Sequence, residues 1–193
     1  WAQPPPSVAD TETLCRRTDG SVLPAEVNIR FMSDSHGDII GAVWSCRDIT
    51  ERKRAEEEKM RLVTAIEQAE EIIFITDLSG CITYVNPAYE RVTGYTRAEI
   101  VGQHTSIQAH HTQDKAQIHD MIAAVGRGEV WKGHVVKKRK DGAPYEVEVI
   151  LSPIRNSSGE ALCYVSVERD VTRELEMQQR LQQAQKMEAI GTF

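Results

Sequence analysis

Apolar and polar residues alternate along three stretches late in the chain. Val130–Lys138, Tyr145–Arg155 and Leu162–Arg169 are rich in Val, Ile and Tyr, and that pattern predicts strands. Asp141-Gly142 and Asn156-Ser157-Ser158-Gly159 separate them, and both are turn-forming sequences. Upstream, Glu71–Asp77 and Cys81–Val85 flank Leu78-Ser79-Gly80 and read as one more hairpin. Between this hairpin and the late strands the apolar spacing lengthens to three and four. Asn86-Pro87 opens a short helix, with Asn as N-cap and Pro at the first helical position. Gly94 suits its end, where positive φ is wanted. Thr96-Arg97-Ala98-Glu99 has the form of a capping box, and Gly102 stops the helix it opens. Asp114–Gly126 reads as a longer helix, with Ile118, Met121, Ile122 and Val125 on one face.

Two strands, several short helices and three strands, in that order, predict an α+β domain. The hairpin and the late strands join in one five-stranded antiparallel sheet, and the helices cover one face. A small apolar core, which is also the candidate pocket, is expected between the layers. Its expected members are Ile73, Ile75, Ile82, Val92, Ile100, Ile122, Val149 and Leu151.

Part of this pattern occurs twice. Residues 17–52 align without a gap on residues 139–174. Asp19-Gly20 meets Asp141-Gly142, Gly37 meets Gly159, and Arg47-Asp48-Ile49-Thr50 meets Arg169-Asp170-Val171-Thr172. The first copy predicts strands over Thr11–Arg17, Val22–Ser33 and Ile39–Arg47. Only the Pro-rich WAQPPPSVAD precedes it. The chain therefore divides into the C-terminal part of a first domain (1–50), a linker helix (51–70), a complete domain (71–172) and a C-terminal helix (173–193). It is expected to be cut at both ends.

The two helical segments carry their own patterns. ERKRAEEEKMRLVTAIEQAE, residues 51–70, lacks Gly and Pro and places opposite charges three or four apart, which supports a helix. In the last segment Met177, Leu181, Ala184, Met187 and Ile190 recur at three- and four-residue spacing amid Gln, Glu and Arg. So narrow a stripe is a coiled-coil-like seam, and a parallel homodimer through these helices is expected. Where strand gives way to helix, Asp170 and Thr172, echoed by Asp48 and Thr50, can cap the new helix. Asp170 is expected to pair with Arg169 or Arg173, or to bond a backbone amide. These four residues are the candidate signal relay.

Composition changes this picture little. Hydrophobic residues make up 40% and charged residues 27% of the 193 residues, as in an ordinary soluble domain. The net charge of −6 argues against a nucleic-acid partner, although Lys137-Lys138-Arg139-Lys140 forms a local basic run. That run is read as a solvated hairpin end. No apolar stretch is long enough to span a membrane within these residues. Cys15, Cys46, Cys81 and Cys163 form no CxxC pair, so a metal site is not expected, and they read as reduced cytoplasmic thiols. No nucleophile–base pair, paired carboxylates or phosphate loop marks a catalytic site.

The spaced set Asp77, Gly80, Ile82, Asn86, Ala88, Gly94-Tyr95, Glu99 and Gly102 resembles a PAS domain, together with Lys140-Asp141-Gly142 and Arg169-Asp170-Val171-Thr172. Residues 11–50 resemble the last three strands of a second one. The resemblance implies sensing by ligand, redox state, light or partner contact, with output through flanking helices. It implies no cofactor in particular. The position that carries haem in the oxygen-sensing branch falls on Gln113, with His111 and His119 nearby, and none of the four cysteines has the Asn-Cys-Arg context of flavin photochemistry. A small apolar ligand, or an empty core, is expected. Gln185-Lys186-Met187-Glu188-Ala189-Ile190-Gly191-Thr192 resembles the entry to the phosphoacceptor helix of sensor histidine kinases, with Phe193 where Leu is usual. The expected role is thus the sensory region of a histidine kinase, with no enzymatic activity of its own. A haem or flavin sensor, or a PAS module of another effector such as a nucleotide cyclase, is the alternative.

Overall fold

The computed structural model describes residues 8–111 and 115–190. The chain forms two compact units, residues 1–63 and 64–193. In the first, β1 (Val8–Arg16), β2 (Val22–Ser33) and β3 (Ile39–Asp48) make an antiparallel sheet in that order. Helix α1 (Thr50–Glu67) follows. The second unit contains β4 (Ile72–Thr76), β5 (Ile82–Val85), α2 (Pro87–Thr93), α3 (Arg97–Ile100) and a 3-10 turn at Thr105–Gln108. It continues with α4 (Lys115–Gly126), β6 (Trp131–Lys138), β7 (Pro144–Arg155), β8 (Ala161–Asp170) and α5 (Thr172–Ile190). Its sheet is five-stranded and antiparallel, in the order β5-β4-β8-β7-β6. The last strand thus enters between the hairpin and the other late strands. No helix among the described residues is long and apolar enough to cross a membrane.

The sequence repeat is a structural repeat. The bounds of β2 and β7 match position for position, as do those of β3 and β8. Ala25 lies opposite Asp48 as Val147 lies opposite Asp170. Both ladders slip at the same place, Met32/Ser33 and Ile154/Arg155. The turns agree as well. The Asp34 carboxylate accepts from the amides of His36 and Asp38, and the Asn156 side-chain oxygen accepts from those of Ser158 and Glu160.

Local chemistry sets the elements of the second unit. Asn86 is fully buried and saturated. Its oxygen accepts from the amides of Tyr89 (3.1 Å) and Ile73 (3.0 Å), and its nitrogen donates to the carbonyls of Glu71 (2.9 Å) and Ile66 (3.3 Å). One side chain thereby caps α2, closes the start of β4 and holds the end of α1. Gly94 ends α2 at φ 77°, a conformation that favours glycine. The box at Thr96 and Glu99 forms in full. Lys140 reaches Glu99 at 2.6 Å, and its ammonium, first among the causes, holds that carboxyl down at about 2.

The core lies between the sheet and α2–α4. Ile82, Ile100 and Val149 are buried in it, while Val92 and Leu151 pack against it half-buried. Three expected members lie elsewhere. In β4 it is Ile72, Phe74 and Thr76 that point into the core, and Ile73 and Ile75 face the other way, half-buried. Pairing with β8 follows the same face, with Ile72 opposite buried Glu168 and Phe74 opposite buried Ser166. On the other side a bulge places the extra residue in β5, so that Ile82 and Val85, opposite Thr76 and Phe74, both face inward. Ile122 is 61% exposed. Helix α4 packs through Ile118, Met121, Ala124 and Val125, and Ile122 lies roughly 90° around the helix from the centre of that stripe.

Candidate functional site

The joint between β8 and α5 is built from five segments. The Asp170 carboxylate accepts from the backbone amide of Thr172 (3.0 Å) and from its hydroxyl (2.6 Å). That amide is a first-turn donor which no helical carbonyl can reach. The second oxygen of Asp170 accepts from the Arg139 guanidinium at 2.7 Å. Arg139 also lies over the Tyr145 ring, 4.5 Å from its centroid, and donates to the Val92 carbonyl of α2. The Thr172 hydroxyl accepts from the Glu146 amide at 2.9 Å, and the Val171 amide donates to the Glu146 carbonyl. Burial by itself would raise the Asp170 carboxyl. The Thr172 and Arg139 bonds outweigh it and hold the group below the ordinary carboxylate range. The first turn of α5 is thereby fixed to β7, to the β6–β7 turn and to α2.

A second polar cluster lies inside the core, one turn of the pleat away. Glu168 is buried on β8, and one of its carboxylate oxygens accepts from the Lys137 ammonium and from the Ser166 hydroxyl (3.0 Å). Lys137 lies over the Phe74 ring. The other oxygen of Glu168 and the hydroxyl of fully buried Tyr89 have no protein partner. Buried Gln108 donates to the Tyr145 hydroxyl at 3.3 Å. Burial, with the Glu168 charge second, pushes both the Tyr89 and Tyr145 phenols well above their usual range. They stay protonated donors at any physiological pH. The pairs Lys137–Glu168 and Arg139–Asp170 both run from β6, or the turn after it, to β8, across the intervening β7.

The PAS fold family matches residues 60–171, more than half of the chain. The chain belongs to the PAS family. A further PAS-domain match covers residues 3–51. Among curated proteins, the nitrogen fixation regulatory protein of Klebsiella pneumoniae is 31% identical over 118 residues, 61% of this chain and 24% of the relative. The aerotaxis receptor of Escherichia coli is 34% identical over 51% of this chain and 19% of the receptor. A blue-light-activated histidine kinase of Brucella canis is 27% identical over 58% and 23%. The chain thus spans about a quarter, or less, of the length of these relatives. Among solved structures, the PAS domain of a protein from Colwellia psychrerythraea superposes with TM-score 0.56 and 25% identity, over 60% of this chain and 98% of that one. An RNA-binding light-oxygen-voltage receptor superposes with TM-score 0.60 at 16% identity, over 94% and 82%, which speaks for the fold alone.

The other two candidate residues repeat the PAS joint in the first unit. The Asp48 carboxylate accepts from the Thr50 amide (2.9 Å), the Thr50 hydroxyl (2.5 Å) and Arg17 (2.8 Å). Arg17 and Arg139 occupy the same repeat position. One bond is missing: Pro24 stands where Glu146 is in the PAS unit and has no amide to give Thr50. Of the expected partners of Asp170, the backbone amide is found, at Thr172, and the neighbouring arginine is not. Arg169 turns to Glu148 (2.9 Å) and Glu174 (3.1 Å), and the charge on Asp170 is met by Arg139, 31 residues away in sequence. The repeat offered the signal for this, since an Arg begins both copies.

The basic run 137–140 is largely occupied by carboxylates, with Lys137 on Glu168, Arg139 on Asp170 and Lys140 on Glu99. Of the expected seam, Met177 (74% exposed), Leu181 (61%) and Met187 (69%) are open to solvent, as is Ala184. The Ile190 side chain and Gln113 lie outside the described residues. His111 and His119 are exposed. Among the described residues, no group of three or more His, Cys, Asp or Glu could hold a metal.

Proposed function

We propose that this chain is a sensory and signal-transmitting PAS region of a two-component sensor histidine kinase, acting on helices at its output rather than on a substrate. The observation that carries the reading is the joint at Asp170. Glu168 in the core and Asp170 at the joint are two residues apart on β8, and each is tied across β7 to the β6 end of the sheet. A rearrangement around Glu168 shifts β8 relative to β6, and the same shift loads Arg139, Asp170 and the first turn of α5. The helix then carries the displacement along an apolar stripe that is suited to a twin helix. The kinase assignment draws on the histidine-kinase relatives and on the residues Gln185–Thr192.

Two measurements test it. Sedimentation of the chain should give a dimer, and Leu181→Glu with Met177→Glu should give monomers with an intact PAS unit. A wild-type monomer at tens of micromolar sinks the dimer. In a full-length parent, Asp170→Ala should uncouple the stimulus from autophosphorylation while both PAS units remain folded. Unchanged coupling sinks the relay.

A second reading, in which the core holds a ligand, draws on the unpartnered Tyr89 hydroxyl and Glu168 oxygen. Two such groups disfavour a purely apolar occupant. The ligand would have to accept from the phenol and donate to the carboxylate. An absorption spectrum of the purified chain, with mass spectrometry of any extract, separates a flavin or haem from a colourless metabolite. A featureless spectrum with no extractable compound rejects this reading.

A further inference from the structure

The sulfurs of Cys15 and Cys46 are 4.0 Å apart on the first sheet. Both are free thiols, Cys46 exposed and Cys15 half-buried. They belong to β1 and β3, which are not neighbours, since β2 runs between them. Cys15 pairs with Leu23 and Cys46 with Val27, so the small Ala25 is the β2 residue of that face between their rows. The contact is therefore made across β2 by the curl of the sheet.

The second copy shows that this contact belongs to the sheet's shape. The positions equivalent to Cys15 and Cys46 are Lys137 and Glu168, and these form the ion pair across β7. The neighbouring pair, Arg17–Asp48, repeats as Arg139–Asp170. One cross-strand link is thus the same in both copies. The other is ionic in the PAS unit and a pair of touching thiols in the first unit. Thiols in contact gain little from their weak S–H bond, but they can join covalently.

We propose that Cys15 and Cys46 are a redox-active pair that closes to an intramolecular disulfide, linking β1 to β3. Closure brings the sulfurs from 4.0 Å to about 2.05 Å, and because β2 lies between the two strands it draws the backbones of β1 and β3 together as the side chains rotate. Cys46 is the exposed member of the pair and Cys15 is half-buried, so Cys46 meets the oxidant first. With hydrogen peroxide, the Cys46 thiolate attacks one oxygen, the O–O bond breaks and hydroxide leaves, giving a sulfenic acid. The Cys15 sulfur then attacks the Cys46 sulfur and displaces hydroxide. The two thiol protons neutralise the hydroxides, so two thiols and one peroxide yield one disulfide and two waters.

The test uses the reduced chain, treated with one equivalent of hydrogen peroxide, quenched with N-ethylmaleimide and digested with trypsin. Each cysteine of the pair lies on its own peptide, 1–16 and 31–47. The expected product from the monomer band is these two peptides joined, two mass units below their sum and released by dithiothreitol. Cys81, whose sulfur contacts the Ser79 hydroxyl, should remain alkylated. In Cys15→Ser, treated with two equivalents of peroxide, the link should vanish and Cys46 should proceed through sulfenic to sulfinic acid for want of a resolving thiol. Finding peptides 1–16 and 31–47 alkylated to the same extent as the Cys81 peptide overturns the proposal. So does wild-type Cys46 over-oxidised without a link, or a link found only between two chains.

Discussion

Replacing Asp170 by Ala removes three hydrogen bonds at once, and the structure allows their loss to be sized. The two bonds from Thr172 are a helix cap, worth about 1 kcal/mol. The bond from Arg139 is charge-assisted, about 1.5–3 kcal/mol when well shielded. Each partner is 26% exposed, so the lower half of that range applies after screening. The expected loss is about 2–3 kcal/mol, or ~8–12 °C in Tm for a unit of this size. Asp48 provides the matched control. It makes the same three bonds, but its ion pair is 45% and 53% exposed, where such pairs contribute about 0–1 kcal/mol. Asp48→Ala should therefore cost its unit roughly half as much. Asp170→Asn keeps an acceptor for Thr172 and loses the charge, so it should fall between wild type and Asp170→Ala. The assay is urea unfolding with amide exchange read at Val171–Leu175 and at Ile49–Lys53. The pH dependence carries a definite sign. Asp170 is depressed in the folded state, so its contribution is complete above the unfolded value of about 3.9 and fades as pH falls through the folded value. The gap between wild type and Asp170→Ala should close below about pH 4. Equal losses for the two alanine variants, or a gap that widens in acid, would refute the reasoning.

Other expectations follow from single side chains. Asn86→Ala leaves the Ile73 amide unpartnered in the core and uncaps α2, so a loss of about 3 kcal/mol or more is expected by chemical denaturation. Ile122→Ser should change stability by no more than about 0.5 kcal/mol, whereas Ile100→Ala should cost about 2–5 kcal/mol. Equal costs would return Ile122 to the core. The Glu99 carboxyl should titrate near 2 by NMR, and Lys140→Ala should move that midpoint upward. No movement would show that Lys140, first among the causes, does not hold it.

The order of elements, the capping devices and the repeat were legible in the sequence because each rests on local chemistry. Asn86-Pro87, Gly94 and the Thr96–Glu99 box declare themselves within a few residues. The core face of β4 was hidden. Its sequence IIFIT is apolar in both phases except at Thr76, and the buried residue there is the Thr. Pairing with β8 sets the phase, with Ile72 and Phe74 opposite buried Glu168 and Ser166, and nothing within the hairpin encodes that distant partner. In α4 the four spaced apolar residues form one stripe by spacing alone, and the choice of Met121 over Ile122 depends on where β6 and β7 lie. The site was half legible. Asp170 and Thr172 stand two apart and advertise a cap, but Arg139 reaches Asp170, and Lys137 reaches Glu168, across an intervening strand. Only three-dimensional curl brings those residues together.

The two copies together separate what the joint needs from what the core adds. Asp, Thr and a distant Arg recur in both, with the same bonds to the first turn of the following helix. That joint holds at two degrees of burial, since the Arg17–Asp48 pair is about half exposed and the Arg139–Asp170 pair only about a quarter. One pleat away the copies diverge: Lys137 and Glu168 in one, Cys15 and Cys46 in the other. On the relay proposed above, the shared joint would make a strand displacement act on a helix, and the divergent pair would determine which chemistry displaces the strand. The charge pair beside two unpartnered buried oxygens would answer to polar occupancy of the core, and the thiol pair to oxidants. Exchanging the pairs, with Cys at 137 and 168 or Lys and Glu at 15 and 46, should transfer peroxide sensitivity from one unit to the other and leave both joints intact. A joint that came apart on exchange, with Thr172 or Thr50 losing amide protection, would show that link and clamp are one device rather than two.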